Sequence, residues 1–131
     1  MQEVILRVFK NKWFNKFAKK EHITDLQLCE LIENIEKGLI DADYGGGVIK
    51  QRLGRLNKGK SSGYRCIILY RYKDISFFVY GFPKNERDNI SKEEEQIFKD
   101  LSQQMFAFSD DDIDKLLLSG ALVEVIYNEH K

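Results

Sequence analysis

The chain has 131 residues, of which 43% are hydrophobic, 12% aromatic and 32% charged, with one proline and nine glycines. That length and composition support one packed core and exclude low-complexity and collagen-like chains. The formal net charge is zero, and no apolar run approaches the ~20 residues needed to cross a bilayer.

The start, MQEVILRVFKNKWF, carries Glu3 and no small-residue cleavage site, so a cytoplasmic protein without a signal peptide is expected. EVILRVF reads as a first strand, with Val4, Leu6 and Val8 alternating against Ile5 and Phe9. Trp13, Phe14 and Phe17 then fall at helical spacing in a short basic helix. Thr24 with Gln27 forms a capping box for a second helix, and Ile23 with Leu28 a hydrophobic staple. Leu28, Leu31, Ile32 and Ile35 line its apolar face, and Gly38 ends it.

ADYGGG, residues 42–47, is expected as a turn. VIKQRL follows as a strand that sets Lys50 and Arg52 on one side, and NKGKSSG (57–63) is a loop. YRCIILYRY and ISFFVYGF are the most strand-like runs, joined at Lys73-Asp74 as a hairpin. Ser91 with Glu94 opens a helix running to about Phe106, and Ser109 with Asp112 opens another, closed by Gly120. ALVEVIY is a last short strand. No repeat and no long linker divides the chain, so one domain over 1–131 is expected. The order of elements predicts an α+β fold: a small antiparallel sheet, its strands close in sequence and its helices to one side.

Cys29 and Cys66 form no metal-binding or redox motif, and His22 and His130 sit in a loop and at the end of the chain. No metal or cofactor is expected. The zero net charge hides segregation. Residues 48–73 hold eight Lys/Arg and no acid, whereas 21–47 hold seven Asp/Glu against Lys37. Charges on opposite faces are screened from each other beyond ~10 Å, so the central stretch points to a polyanionic partner.

Residues 54–61, GRLNKGKS, spell the phosphate-binding loop G-x-x-x-x-G-K-[ST]. That loop works where a helix leaves from its Ser/Thr and aims amides at the phosphates. Here SGYRCIILYRY follows, rich in β-branched and aromatic residues, and Gly63 makes a poor first helical turn. No nucleoside triphosphate site is expected. Lys58 and Lys60 are assigned instead to nucleic-acid phosphates, and the interleaved Tyr64, Tyr70 and Tyr72 are compatible with base stacking or with the core.

Three stretches, DYGGGVIKQRLGR, SSGYRCIILYR and FFVYGFPKNERDNISKEE, together resemble the RelE/HigB-like toxins of bacterial type II toxin–antitoxin systems. The resemblance covers roughly residues 2–106, with 107–131 as a C-terminal extension of the same domain. It implies a RelE-like sheet with two N-terminal helices packed on one face, and C-terminal helices. It also implies a ribosome-dependent mRNA endoribonuclease that inhibits translation by cutting in the A site. In that metal-free reaction the 2′-OH attacks the adjacent phosphate, leaving a 2′,3′-cyclic phosphate and a 5′-OH. The resemblance assigns catalysis to Arg65, Lys50, Lys84 and Arg87, and expects Lys84 and Arg87 beside Arg65. Arg52, Arg55, Lys58, Lys60, Arg71 and Asn85 are assigned to RNA and ribosome binding. The implied partners are a helix-turn-helix antitoxin, rRNA and mRNA, with no membrane.

Two departures stand out. Asn85 occupies a position where some relatives carry arginine, and NISKEEEQ lacks their tyrosine or histidine. Lys84, Tyr80 and Asn85 are the substitutes considered for the proton-transfer role. Glu86 beside Arg87 is expected as a salt bridge, Asn89 at the start of the following helix, and Tyr80 as a packed aromatic. Two rival functions share these features: a ParE-type gyrase poison without nuclease activity, and a non-enzymatic RNA-binding module.

Overall fold

The computed structural model describes residues 6–54 and 63–126. Strand β1 (Arg7–Asn11) runs into helix α1 (Lys12–Glu21), followed by α2 (Asp25–Glu36). Strands β2 (Ala42–Gly45), β3 (Val48–Leu53), β4 (Tyr64–Arg71) and β5 (Ile75–Pro83) come next, then α3 (Lys92–Phe106), α4 (Asp110–Ser119) and β6 (Leu122–Glu124). Among the described residues the strands form one sheet in the order β2-β3-β4-β5-β1-β6. The α+β class is therefore as expected. One pair departs from the antiparallel pattern: β1 runs parallel to β5, with Arg7 opposite Ile75, and antiparallel to β6, so the sheet is mixed.

The helix starts are local chemistry. Asn11 accepts a hydrogen bond from the Phe14 amide at 2.7 Å to open α1, and α2, α3 and α4 each begin with a reciprocal capping box, at Thr24/Gln27, Ser91/Glu94 and Ser109/Asp112. The helices do not lie to one side. Phe14 and Ala18 of α1, with Leu28, Leu31, Ile32 and Ile35 of α2, cover one face of the sheet against Val8, Cys66, Ile68 and Phe78. Met105 of α3 and Ile113 of α4 cover the other, against Phe9, Ile67, Leu69 and Phe77. The reason is in β4: six successive residues, Tyr64 to Leu69, are buried, so both of its faces need a cover. The extension beyond 106 supplies part of that cover and closes the sheet through β6.

The expected turn at 42–47 is a strand followed by a tighter turn. Ala42 pairs with Lys50 and Asp43 with Ile49, and the reversal uses Gly45, Gly46 and Gly47, all at positive φ. Gly47 meets a second demand, because a Cβ there would lie 2.7 Å from Phe106 and 3.1 Å from the Tyr70 carbonyl oxygen. This turn seats α3 on the sheet, where Ser102 donates to the Gly46 carbonyl at 2.8 Å.

Candidate active site and nucleic-acid interface

The centre of the site is Arg65. It stands opposite Arg52 in the β3–β4 ladder, and Lys50, two residues back on β3, pairs with Ile67. Side chains alternate along a strand, so Lys50, Arg52 and Arg65 share one face, as expected from their spacing. Two of the three are largely buried: the side chain of Arg65 is 8% exposed and that of Lys50 13%, against 66% for Arg52.

What holds three cations together is Asp41. Its carboxylate lies 3.3 Å from Arg52 Nε and 3.9 Å from both Lys50 Nζ and Arg65 Nε. Gln51 fixes the segment from below the ladder, accepting from the Asp41 amide at 2.7 Å and donating to the Leu39 carbonyl at 3.0 Å. One carboxylate against three cations leaves a surplus of positive charge in a half-desolvated site. Arg65 also keeps most of its five donors uncommitted. Among the described residues it donates only to the Tyr64 carbonyl, at a long 3.4 Å, and 3.9 Å to Asp41 is an ion pair rather than a hydrogen bond. A buried, planar guanidinium with unused donors is suited to bidentate contact with an oxyanion such as phosphate.

The RelE toxin family, described as the RelE toxin of the RelE/RelB toxin–antitoxin system, matches residues 6–125. The chain belongs to the RelE toxin family. It is thus a toxin of a toxin–antitoxin system, with an antitoxin as its partner. No curated protein and no solved structure matches the chain.

Around this cationic cluster, Asn89 collects hydrogen bonds. Its Oδ1 accepts from the Tyr44 hydroxyl, from Lys50 Nζ at 3.4 Å and from the Ile90 amide at 2.9 Å. Asn89 therefore does lie just ahead of α3, but it also ties β2 and β3 to that helix. The Tyr44 hydroxyl is held above its ordinary pKa, first by burial and then by the negative charges of Glu95 and Asp41. It stays protonated at neutral pH.

Arg87 is positioned differently from Arg65. Its guanidinium grips the Glu94 carboxylate through two nitrogens, donates to the Asn89 carbonyl at 2.9 Å and to the Tyr80 hydroxyl at 3.4 Å, and lies 5.1 Å over the Phe82 ring. The expected Glu86–Arg87 bridge is replaced by this Glu94–Arg87 pair. Glu94 also accepts from the Ser91 amide, and the hydrogen bonds from Arg87 and Ser91 pull its carboxyl down to about 2. Phe82 is the register partner of Arg65, so Arg87 reaches the cluster through one ring.

Lys84 is half-buried in the turn after β5, where its amide donates to the Gly63 carbonyl at 2.9 Å, two residues from Arg65; Asn85 beside it is exposed. Arg71 is not brought to the cluster. It lies at the far end of β4, where it pairs with Asp74 and donates to the Phe106 carbonyl at 3.1 Å. Arg55, Lys58 and Lys60, with the phosphate-loop string, lie outside the described residues. Tyr80 is half-buried and packs on Trp13, Phe82 and Phe98. Sequence reasoning passed over Asp41, Tyr44 and Glu94. The signal for Asp41 was its place beside a strand carrying two bases, masked by the acidic stretch around it.

Among the described residues no group of three or more His, Cys, Asp or Glu side chains could hold a metal ion, and no helix is long and apolar enough to cross a membrane.

Proposed function

We propose that this RelE-family toxin is a ribosome-dependent endoribonuclease that cuts mRNA in the A site, acting in the cytoplasm. The observation that carries the reading is the Arg65 guanidinium: buried, flanked by Lys50 and Arg52, and with donors to spare. In the reaction the 2′-oxygen bonds to the neighbouring phosphorus and the P–O5′ bond breaks. The proton of the 2′-OH is removed and one is delivered to O5′. Negative charge grows on the non-bridging oxygens, where preorganised cations in a water-poor site act most strongly. Arg65 is assigned to those oxygens, with Lys50 beside it. Lys84 and the exposed Arg52 are assigned to the flanking phosphates, and Arg55, Lys58, Lys60, Arg71 and Asn85 to the RNA beyond them.

Arg87 is neutralised by Glu94, so its assigned part is to hold Asn89 and Phe82 against the site. The protonated Tyr44 hydroxyl, sharing Asn89 with Lys50, is assigned as the proton donor to O5′ in place of the tyrosine or histidine that NISKEEEQ lacks. The helix-turn-helix class of antitoxin is part of the same proposal.

The test is to add the purified protein to ribosomes stalled on a defined mRNA and to map new 5′ ends. Cleavage within the A-site codon, lost in Arg65→Ala and strongly reduced in Lys50→Ala, is the expected result. Intact mRNA with an arrest of DNA synthesis in cells expressing the chain would move the assignment to gyrase poisoning.

A further inference from the structure

Next to the cationic cluster lies a cleft of about 240 Å³ between α1 and the end of β5, walled by Trp13, Phe17 and Tyr80 and rimmed by Lys20, Glu86 and Arg87. Its floor depends on Gly81. A Cβ there would stand 2.6 Å from the Phe17 ring, so only glycine lets that ring settle onto the strand. Phe17 in turn braces Trp13, stacked at 5.3 Å with 16° between the planes, and Tyr80 supports Trp13 at 4.7 Å. A tryptophan held by two rings would ordinarily be covered; Trp13 is 45% exposed.

We propose that this cleft is a nucleobase-binding subsite for the RNA strand whose phosphate lies on Arg65; the inference rests on the RNA reading above. Three features select a base over a simple apolar side chain. A rigid, pre-stacked aromatic surface offers a π-face at little ordering cost, as in proteins that stack single-stranded bases. The rim is charged: the exposed Lys20 fits a nucleotide's phosphate, Glu21 is engaged by the Tyr64 hydroxyl at 2.7 Å, and the exposed Glu86 carboxylate can accept from the exocyclic amino group of adenine, guanine or cytosine. Finally, the cleft borders the cluster through Phe82, which lines it. Arg87 lines it while lying over Phe82, the register partner of Arg65.

Trp13 is the sole tryptophan of the chain and reports on its own cleft. The full-length protein is titrated with adenosine 5′-monophosphate, with ribose 5-phosphate as the baseless control, and with a short oligoribonucleotide carrying 2′-O-methyl groups so that it is not cut. The expected result is quenching by the nucleotide and the oligomer but not by the sugar phosphate. Binding of labelled oligomer to Trp13→Ala, followed by anisotropy, should weaken about tenfold, with most affinity kept in Trp13→Phe. Unchanged Trp13 emission at saturating nucleotide, equal quenching by ribose 5-phosphate, or native oligomer affinity in Trp13→Ala each overturns the subsite. Ribosomal cleavage separates the two readings. If the native protein cuts in the A site and Trp13→Ala does so with the same KM, the cleft is unused and the nuclease stands. If the native protein cuts nothing, the nuclease reading fails by itself, and quenching by nucleotide still decides the cleft.

Discussion

Asp41 and Arg65 stand 3.9 Å apart, close enough to share charge and too far to share a hydrogen bond. Asp41 divides itself among three cations, so it restrains their repulsion without satisfying the arginine. A phosphate would compete with it for the same donors. Asp41→Asn is therefore expected to fold and to bind RNA three- to tenfold more tightly at low salt, about 1 kcal/mol, with the gain vanishing as salt rises. Anisotropy across a salt series measures this. Weaker binding at every salt concentration would mean that Asp41 chiefly orients Arg65.

Tyr44 offers a sharper chemical test. Tyr44→Phe removes the hydroxyl hydrogen-bonded to Asn89 and keeps the ring packed beside the α3 face of the sheet. If that hydroxyl protonates the leaving oxygen, single-turnover cleavage should fall by about a hundredfold with KM little changed. A native rate in Tyr44→Phe would send the search for the donor to Tyr80 or Lys84.

The Arg87–Glu94 pair makes a prediction about acid. The Glu94 carboxyl is held at about 2, below its ordinary value near 4.3, so folding is favoured by its ionised form. That contribution is complete above the ordinary value and is lost as pH falls toward 2. Each side chain is about a third exposed, and solvent screening brings the effect to about 1–2 kcal/mol. Urea unfolding of Glu94→Gln and the native protein between pH 7 and pH 2 should show the native stability falling toward that of the variant. Parallel pH profiles would show that the pair adds nothing to folding.

Gly45 and Gly47 share a positive φ, yet only Gly47 is crowded. Gly45→Ala is expected to cost about 1 kcal/mol for the backbone alone. Gly47→Ala adds the displacement of Phe106 and should cost a further 1–3 kcal/mol. Thermal or chemical unfolding of the two variants separates conformation from packing.

The helices were legible because their starts are decided within four residues: each capping box read from the sequence is present, and the α2 face of Leu28, Leu31, Ile32 and Ile35 is buried as expected, whereas Trp13 of α1 stays 45% exposed. Lys50, Arg52 and Arg65 were legible as one face because strand alternation is strict. Strand β2 was hidden, since Ala-Asp-Tyr-Gly carries little strand propensity and owes its conformation to its β3 partner. The parallel β1–β5 pairing is a long-range choice that no local pattern encodes. Glu94 went unnoticed for a related reason: it was read as half of a capping box, and a carboxylate has lone pairs for both the Ser91 amide and a guanidinium.

Strand β1 lies between β5 and β6, and both neighbours come from far later in the sequence, Ile75 opposite Arg7 and Leu122 opposite Asn11. Synthesis therefore delivers β1 long before either neighbour exists. Its ladder closes only over large sequence separations, the kind of contact that slows folding. A growing chain cannot complete this sheet, and one truncated before Leu122 leaves β1 as an open edge able to pair with other chains. Assembly thus delays maturation: the finished sheet, with the cationic face it supports, is attained only after Glu124 has been made.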